Sequence, residues 1–357
     1  MEDLQLVLKA YGIKEDIETI APFGTGLINN TWKLIHKGNP FILQRINHLV
    51  FKDPGAIARN IKITGQYLQQ HYPGYLFVKP VPTLTKEEMF SDANLGYFRL
   101  MPYVENSHTV DVVQTTDEAF EAAKAFGKLT RLLADFDCTQ LKTTLPDFHN
   151  LSLRYFQFEK AVKEGNKERI DESGELIEFL QAHHSIVKEY VELQTNPQFK
   201  LRAAHHDTKI SNVLFDHTNK AICVIDLDTL MPGYFISDTG DMFRTYISPV
   251  SEEETNFSKI EIRVDYFTAI VQGYWEEMNR ELTDVEKDHF TYAGKFMIYM
   301  QALRFLTDHL TNDAYYAVKY KGHNYNRARN QVTLLQKFME QEEQLQQIVK
   351  KISISHP

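Results

Sequence analysis

The side chains best suited to chemistry lie between Ala203 and Asp228, where the chain reads AAHHDTKISNVLFDHTNKAICVIDLD. His205, Asp207, Lys209 and Asn212 fall in one short segment. Two apolar runs follow, Val213-Leu214-Phe215 and Ile222-Cys223-Val224-Ile225, with the polar stretch Asp216 to Lys220 between them, which is a hairpin signal. The second run stops at Asp226, and Asp228 follows two positions on. A carboxylate in a polar loop can take the proton of a hydroxyl, and a neighbouring ammonium can meet an anion. An amide and a carboxylate can together supply oxygen ligands to Mg²⁺. Phosphoryl transfer from Mg-ATP asks for that combination, because it needs positioning and charge more than covalent participation. On this reading Asp207 is the base, Lys209 the cation for the transferred group, and Asn212 and Asp226 are metal ligands. Asp228 is either a second ligand or an acceptor behind the first. Singly, such residues are ordinary turn and cap residues. The ordered set on loop, strand, turn and strand carries the reading.

Other elements have to hold these residues and their substrates. Leu4, Leu6, Val7, Leu8 and Tyr11 suggest a short amphipathic helix ended by Gly12. The stretch from Ile20 to Trp32 reads as strand, tight loop and strand, with Gly24, Thr25 and Gly26 at the loop, where backbone N–H groups can cradle a phosphate. Phe41 to Ile46 is the next strand. Its alternation puts Leu43 and Arg45 on one face and Gln44 on the other, and Arg45, a forked donor, is the candidate for nucleotide phosphate. Asp53-Pro54 starts a helix that buries Ile57, Ile61 and Leu68 and offers no Glu to Arg45. Tyr97 to Val104 is a strand running into Pro102. The expected organisation is α+β: a β-rich N-lobe over 1–101 that binds nucleotide, a hinge at 102–105, and a mainly helical C-lobe over 106–357. In such a plan the backbone from Met101 to Tyr103 meets adenine. Thr115-x-x-Glu118, Ser258-x-x-Glu261 and Thr283-x-x-Glu286 look like capping boxes. The run KFMIYMQALR from Lys295 to Arg304 is apolar nearly all round, which predicts a buried helix. Arg304 then needs a partner. Either Asp308 pairs with it, or it reaches into the acceptor cleft. Tyr315, Tyr316, His323, Asn324 and Arg327 crowd the same region, and polar with aromatic groups suit a sugar.

Composition narrows the function classes. A chain of 357 residues with 43% apolar content can bury a sizeable core. A net charge of −9 argues against a nucleic-acid binder that relies on phosphate contacts. Two cysteines make no disulfide framework and suit a reducing, cytoplasmic setting. No basic leader with an apolar core precedes the first helix, and no apolar run is long enough for a membrane span.

The spacing His-x-Asp-x-Lys-x-x-Asn is similar to the catalytic loop of protein kinases, but Leu227-Asp228 stands where they have Phe-Gly after the metal-binding Asp. His-x-Asp-x-x-x-x-Asn followed by Ile-Asp-x-Asp resembles instead the aminoglycoside phosphotransferase and choline kinase superfamily. More closely, the chain resembles the N-acetylhexosamine 1-kinases of that superfamily. The resemblance rests on GTGLINNTW from Gly24, FILQRIN with VFKDP, HHDTKISNVLFD with VIDLDTLMPG, and ALRFLTDHL followed by KGHNYNRARNQ. It implies a two-lobed protein kinase-like fold, ATP and Mg²⁺ as cofactors, and a small-molecule sugar as the substrate partner, with no nucleic acid and no membrane. It implies transfer of the γ-phosphate to an anomeric hydroxyl, giving a sugar 1-phosphate. His205 and Asp238 become braces of the catalytic loop, and Asn29, Arg304, Tyr316 and His323 acceptor residues. One departure concerns Leu27, which stands where the family has a sugar-holding His, so the acceptor's epimer or N-acetyl group is left open. Another small alcohol (choline, an aminoglycoside or homoserine) is the alternative acceptor, although Arg304 and Arg327 suit a cationic one poorly. The remaining alternative is a catalytically inactive nucleotide-binding protein.

Overall fold

The computed structural model describes residues 2–14, 17–24 and 28–355, so Thr25, Gly26 and Leu27 lie outside the described residues. Two compact units emerge from the packing. One comprises Met1–Thr109, Leu132–Pro146 and Val213–Pro232, and the other Val110–Arg131, Asp147–Asn212 and Gly233–Pro357.

The first unit is built on a five-stranded antiparallel sheet. Its strands are β1 (Ile17–Pro22), β2 (Asn30–His36), β3 (Asn39–Ile46), β4 (Phe90–Asp92) and β5 (Gly96–Pro102), in the order β1-β2-β3-β5-β4. Trp32 pairs with Leu43 and Leu43 with Leu100, so these side chains share a face with Arg45 and its partner Phe98. Helix α1 (Glu2–Ala10) closes that face with Val7, Leu8 and the following Tyr11, forming the unit's apolar core. Each fully buried Leu or Val there contributes on the order of 1.5–3 kcal/mol. The Tyr11 hydroxyl donates to the Phe98 carbonyl at 2.7 Å and accepts the Phe90 N–H at 3.0 Å, which fixes the helix to β4 and β5. The opposite face carries Thr31, Gln44 and Arg99. Helix α2 (Pro54–His71) starts where Asp53 accepts the Ala56 N–H at 3.1 Å, as the Asp-Pro pair predicts. The hairpin Val213–Phe215 and Ala221–Val224 is antiparallel, and Asp216 ties its turn through the N–H groups of Thr218 and Lys220.

The second unit is helical. Its centre is the helix Phe290–Leu310, buried nearly all round as its apolar sequence predicts. Helices Leu151–Glu164, Phe235–Tyr246 and His323–Glu340 pack against it. Gly240 allows one of these close approaches, because a Cβ there would lie 2.5 Å from the Ala293 carbonyl oxygen. Thr283 and Glu286 form the expected capping box. Thr115 and Glu118 form theirs through bonds of 3.2 and 3.3 Å. The third expected box does not form. The Ser258 N–H and hydroxyl both go to Asn256 Oδ1, which caps a short turn over Phe257–Lys259, and the helix opens only at Val264. Asn256 takes the capping role because its amide oxygen reaches both Ser258 donors in a tight local turn. No described helix is long and apolar enough to cross a membrane.

Candidate functional site

In the helical unit the loop from His205 to Asn212 is pinned from behind by helix Phe235–Tyr246. Asp238, 1% exposed, accepts the N–H of His205 at 3.0 Å and of His206 at 2.7 Å. Thr208 N–H goes to Asp241 at 2.9 Å, and the Thr208 hydroxyl donates to the Asp238 carbonyl at 2.7 Å. These bonds hold His206 at φ 67°, a left-handed conformation that few non-glycine residues adopt without such support. His205 is buried edge-on against Phe126, 5.1 Å between ring centres, and its Nδ1 accepts the Asp207 N–H at 3.3 Å. It is therefore anchored inward, while the Asp207 side chain remains 30% exposed. Lys209 Nζ lies 3.1 Å from Asp207 Oδ2. Asn212 donates its amide N–H₂ to the Asp207 backbone oxygen at 2.8 Å and to Oδ2 at 3.1 Å. The four residues singled out by spacing are thus brought together.

Behind the loop runs a half-buried chain of ion pairs that the sequence reading did not contain. Arg244 binds Asp241 and Glu252, and Arg327 also binds Glu252. Burial raises the Asp241 carboxyl above its usual range; Arg244 pulls it back and the charge of Asp207 adds to the rise. Burial also raises Glu252, but Arg244 and Arg327 outweigh it and leave the carboxyl below its usual range.

His206 packs directly on Gly233, where a Cβ would run into its Nε2. The constraint is steric, since no unusual φ is required there. Gly233→Ala should therefore cost about 1–3 kcal/mol, as overpacking does, and displace the loop that carries Asp207. Thermal denaturation with steady-state rates checks this, and a variant unchanged in both would show that His206 has room to move.

In the sheet unit the stretch after the hairpin holds Asp226 and Asp228. Asp226 takes a left-handed conformation, φ 59° and ψ 58°, at the start of the turn Leu227–Thr229. Asp228 is 2% exposed and turned to protein donors. Its Oδ1 is ion-paired with Arg99, and its Oδ2 accepts from Asn29 Nδ2 at 2.8 Å. Arg99 gives its Nε and Nη2 to Gln44 Oε1 at 3.0 and 2.8 Å, and Gln44 donates to the Thr31 hydroxyl at 3.1 Å. Asn29 Oδ1 accepts the Asn47 N–H at 3.0 Å. The contacts of Asp228 are those of a buried anchor for its turn, and those of Asn29 lie with that anchor. Asn60 of α2 completes the anchorage with bonds to the Lys142 and Leu230 carbonyls at 2.8 and 2.9 Å. Arg99 and Asn60 escaped the sequence reading. A lone Arg in an apolar strand was the one available signal, since such a charge needs a buried partner.

Arg45 lies elsewhere. It is exposed on the face of the apolar core, 5.8 Å from the Phe98 ring centre and beside Gly96, while Gln44, Arg99 and Asp228 meet on the opposite face. Strand alternation forces this separation. Near the end of β5, Lys33 Nζ sits 3.6 Å over the ring of Tyr103, and Phe23 meets that ring edge-on at 6.1 Å. Met101 pairs with Ile42 in the neighbouring strand. Gly24 has φ +80°, which favours glycine.

Of the acceptor candidates, Arg304 and Tyr316 line one cavity of about 660 Å³ within the helical unit. Arg304 is not paired with Asp308. That carboxylate accepts the N–H groups of Tyr315 and Tyr316 at 2.7 and 2.8 Å and Asn324 Nδ2 at 3.0 Å. Arg304 instead donates to Gln301 Oε1 at 3.1 Å and lies over the rings of Phe148 and Tyr316. His323 is 2% exposed, with Nε2 2.7 Å from Glu253 and Nδ1 accepting the Lys319 N–H, so protein groups engage both ring nitrogens.

Mg²⁺ takes hard oxygen donors, and an amide oxygen and a carboxylate are of that kind. In the helical unit the Asn212 N–H₂ is engaged by Asp207, which leaves its amide oxygen as the end suited to a cation.

Residues 19–259, more than half of the chain, match the family model described as the phosphotransferase enzyme family. Among solved structures, an aminoglycoside phosphotransferase from Alicyclobacillus acidocaldarius is similar at 12% identity and TM-score 0.65, over 97% of this chain and 96% of that one. A choline kinase from Cryptosporidium parvum is similar at 16% identity and TM-score 0.57, over 98% of both chains. A spectinomycin phosphotransferase solved with ADP and spectinomycin is similar at 12% identity and TM-score 0.55, over 98% of this chain and 97% of that one. At these identities the likeness shows the fold, a kinase-like one with a small antiparallel-sheet N-lobe and a larger helical C-lobe. The match of the family model over the sheet and the catalytic loop shows more: this chain belongs to the phosphotransferase enzyme family.

Proposed function

We propose that this phosphotransferase uses ATP and Mg²⁺ to phosphorylate the anomeric hydroxyl of an N-acetylhexosamine or related hexose, yielding a sugar 1-phosphate. The observation that carries the reading is the cavity in which Arg304 and Tyr316 stand together, in the same unit as Asp207. A forked donor beside aromatic rings suits the hydroxyl edges and apolar faces of a sugar. Asp207 accepts the proton of the attacking hydroxyl at an oxygen held by Asn212 and Lys209. Asp238 keeps that oxygen in place through the backbone beneath it. Lys209 sets a positive charge against the transferred group. Asn212 and Asp226 would hold Mg²⁺, which when bound would neutralise charge on the nucleotide phosphates. Lys33, Phe23 and Tyr103 are proposed to receive the nucleotide base, with Gly24 at the phosphate loop. Steady-state ATP turnover on hexoses and N-acetylhexosamines, with choline, an aminoglycoside and homoserine alongside, tests the reading. The expected result is turnover on sugars, with phosphate at C1 of the product. Phosphorylation of choline or homoserine alone would retire it.

A further inference from the structure

We propose that the acceptor sugar carries an acidic group, a carboxylate or a phosphate ester, and that Arg154 and Arg304 receive it. The proposal rests on the sugar-kinase reading above and adds a charge to its substrate.

Two helices wall the cavity, Leu151–Glu164 and Phe290–Leu310, and each contributes one of these arginines. Both are half-buried, and among the described residues neither has a carboxylate within ion-pair distance. Arg263 of this unit likewise bonds only backbone carbonyls, whereas other arginines of the unit are ion-paired. Arg169, Arg202, Arg244 and Arg327 pair with Asp313, Glu286, Asp241 and Glu252. Arg154 has only neutral acceptors, Gln157 Oε1 at 3.0 Å and the carbonyls of Asp147 and Phe148 at 2.8 and 3.5 Å. Its Nε is shielded from solvent and has no acceptor among the described residues. Among the described residues Arg304 has one neutral acceptor, Gln301, and lies within cation–π range of two rings, 5.6 Å from Phe148 and 5.5 Å from Tyr316. Such contacts do not use its edge donors.

Two carboxylates also line the cavity, and neither offsets the pair. Asp308 is turned to three N–H donors, and Glu164 lies 3.8 Å from Lys160 at an exposed position. The positive charge is felt around it: burial and then Arg304 lower the affinity of Arg154 for its proton. Burial, then His206, Arg304, Arg244 and Arg154, hold His149 well below the usual imidazole range. A neutral sugar would displace water from two guanidinium groups and leave their charges uncompensated, whereas an acidic group would meet the forked donors with matching geometry.

Turnover with ATP and Mg²⁺ on matched pairs tests this: glucose against glucuronate and glucose 6-phosphate, galactose against galacturonate, N-acetylglucosamine against its 6-phosphate. The charged member should win in kcat/KM by about 10-fold to 100-fold, the range of charge-assisted hydrogen bonds, mainly through KM. Preference for the uronates assigns a carboxylate, and preference for the sugar phosphates assigns a phosphate ester. Arg154→Gln and Arg304→Lys should each raise KM for the charged sugar and leave KM for ATP unchanged. Should Arg154→Gln fail to fold, Arg154→Lys carries the same comparison. Preference for the neutral sugars overturns the proposal and leaves the sugar-kinase reading standing. Turnover of no sugar overturns both.

Discussion

Asp207→Asn should lower turnover by about 10²–10⁴-fold, the usual loss when a positioned base is removed, while nucleotide binding survives. The substitution keeps the side chain's shape and removes only its capacity to take a proton. The loop backbone is held by other carboxylates, Asp238 and Asp241, through the N–H groups of His205, His206 and Thr208. The half-exposed pair with Lys209 contributes little to stability, as solvent-screened pairs do. Rates measured with saturating ATP, and ADP binding by calorimetry, separate chemistry from binding. Turnover close to that of the unaltered enzyme would remove Asp207 from the role of base.

Arg99→Leu should destabilise the protein by roughly 3–5 kcal/mol, because it leaves a buried carboxylate without its counter-ion. Arg99 and Asp228 are 2% and 3% exposed at their side chains, so water cannot take over the missing contact. Replacing both partners by apolar residues should recover a large part of the loss, since the cost lies mostly in the stranded charge. Urea denaturation of the two single variants and the double variant measures the coupling. A single-variant loss below about 1 kcal/mol, the scale of a surface pair, would show that the pair does not secure the turn. Asp226→Ala should show itself in the rate: activity collapses and excess Mg²⁺ restores little, as a titration of Mg²⁺ against rate would read. The two carboxylates stand two positions apart, and Asp228 is the one that Arg99 and Asn29 engage.

Local features were legible in the order of residues. The Asp207, Lys209 and Asn212 set, the hairpin after it, the Asp53 cap, the Thr283 capping box and the buried helix Phe290–Leu310 all follow from spacings within one or two turns or one strand pair. Hydrogen-bond geometry and side-chain periodicity act at that range, so residue type and spacing suffice. Only the tertiary structure decided the partners. Asp228 meets Arg99 and Asn29 across 129 and 199 positions of chain, and Arg304 bonds Gln301 while Asp308, one helical turn on, turns to the backbone of Tyr315 and Tyr316. Arg45 was legible as a strand residue, but which face of the sheet would meet α1 and which would meet Asp228 was not. Arg154 carried no signal, being one more Arg on an amphipathic helix until its lack of a carboxylate was visible. A charge reads the same in sequence whether it is paired, solvated or waiting for a ligand. What separates these states is burial and the distance to the nearest opposite charge, and both are set by long-range packing.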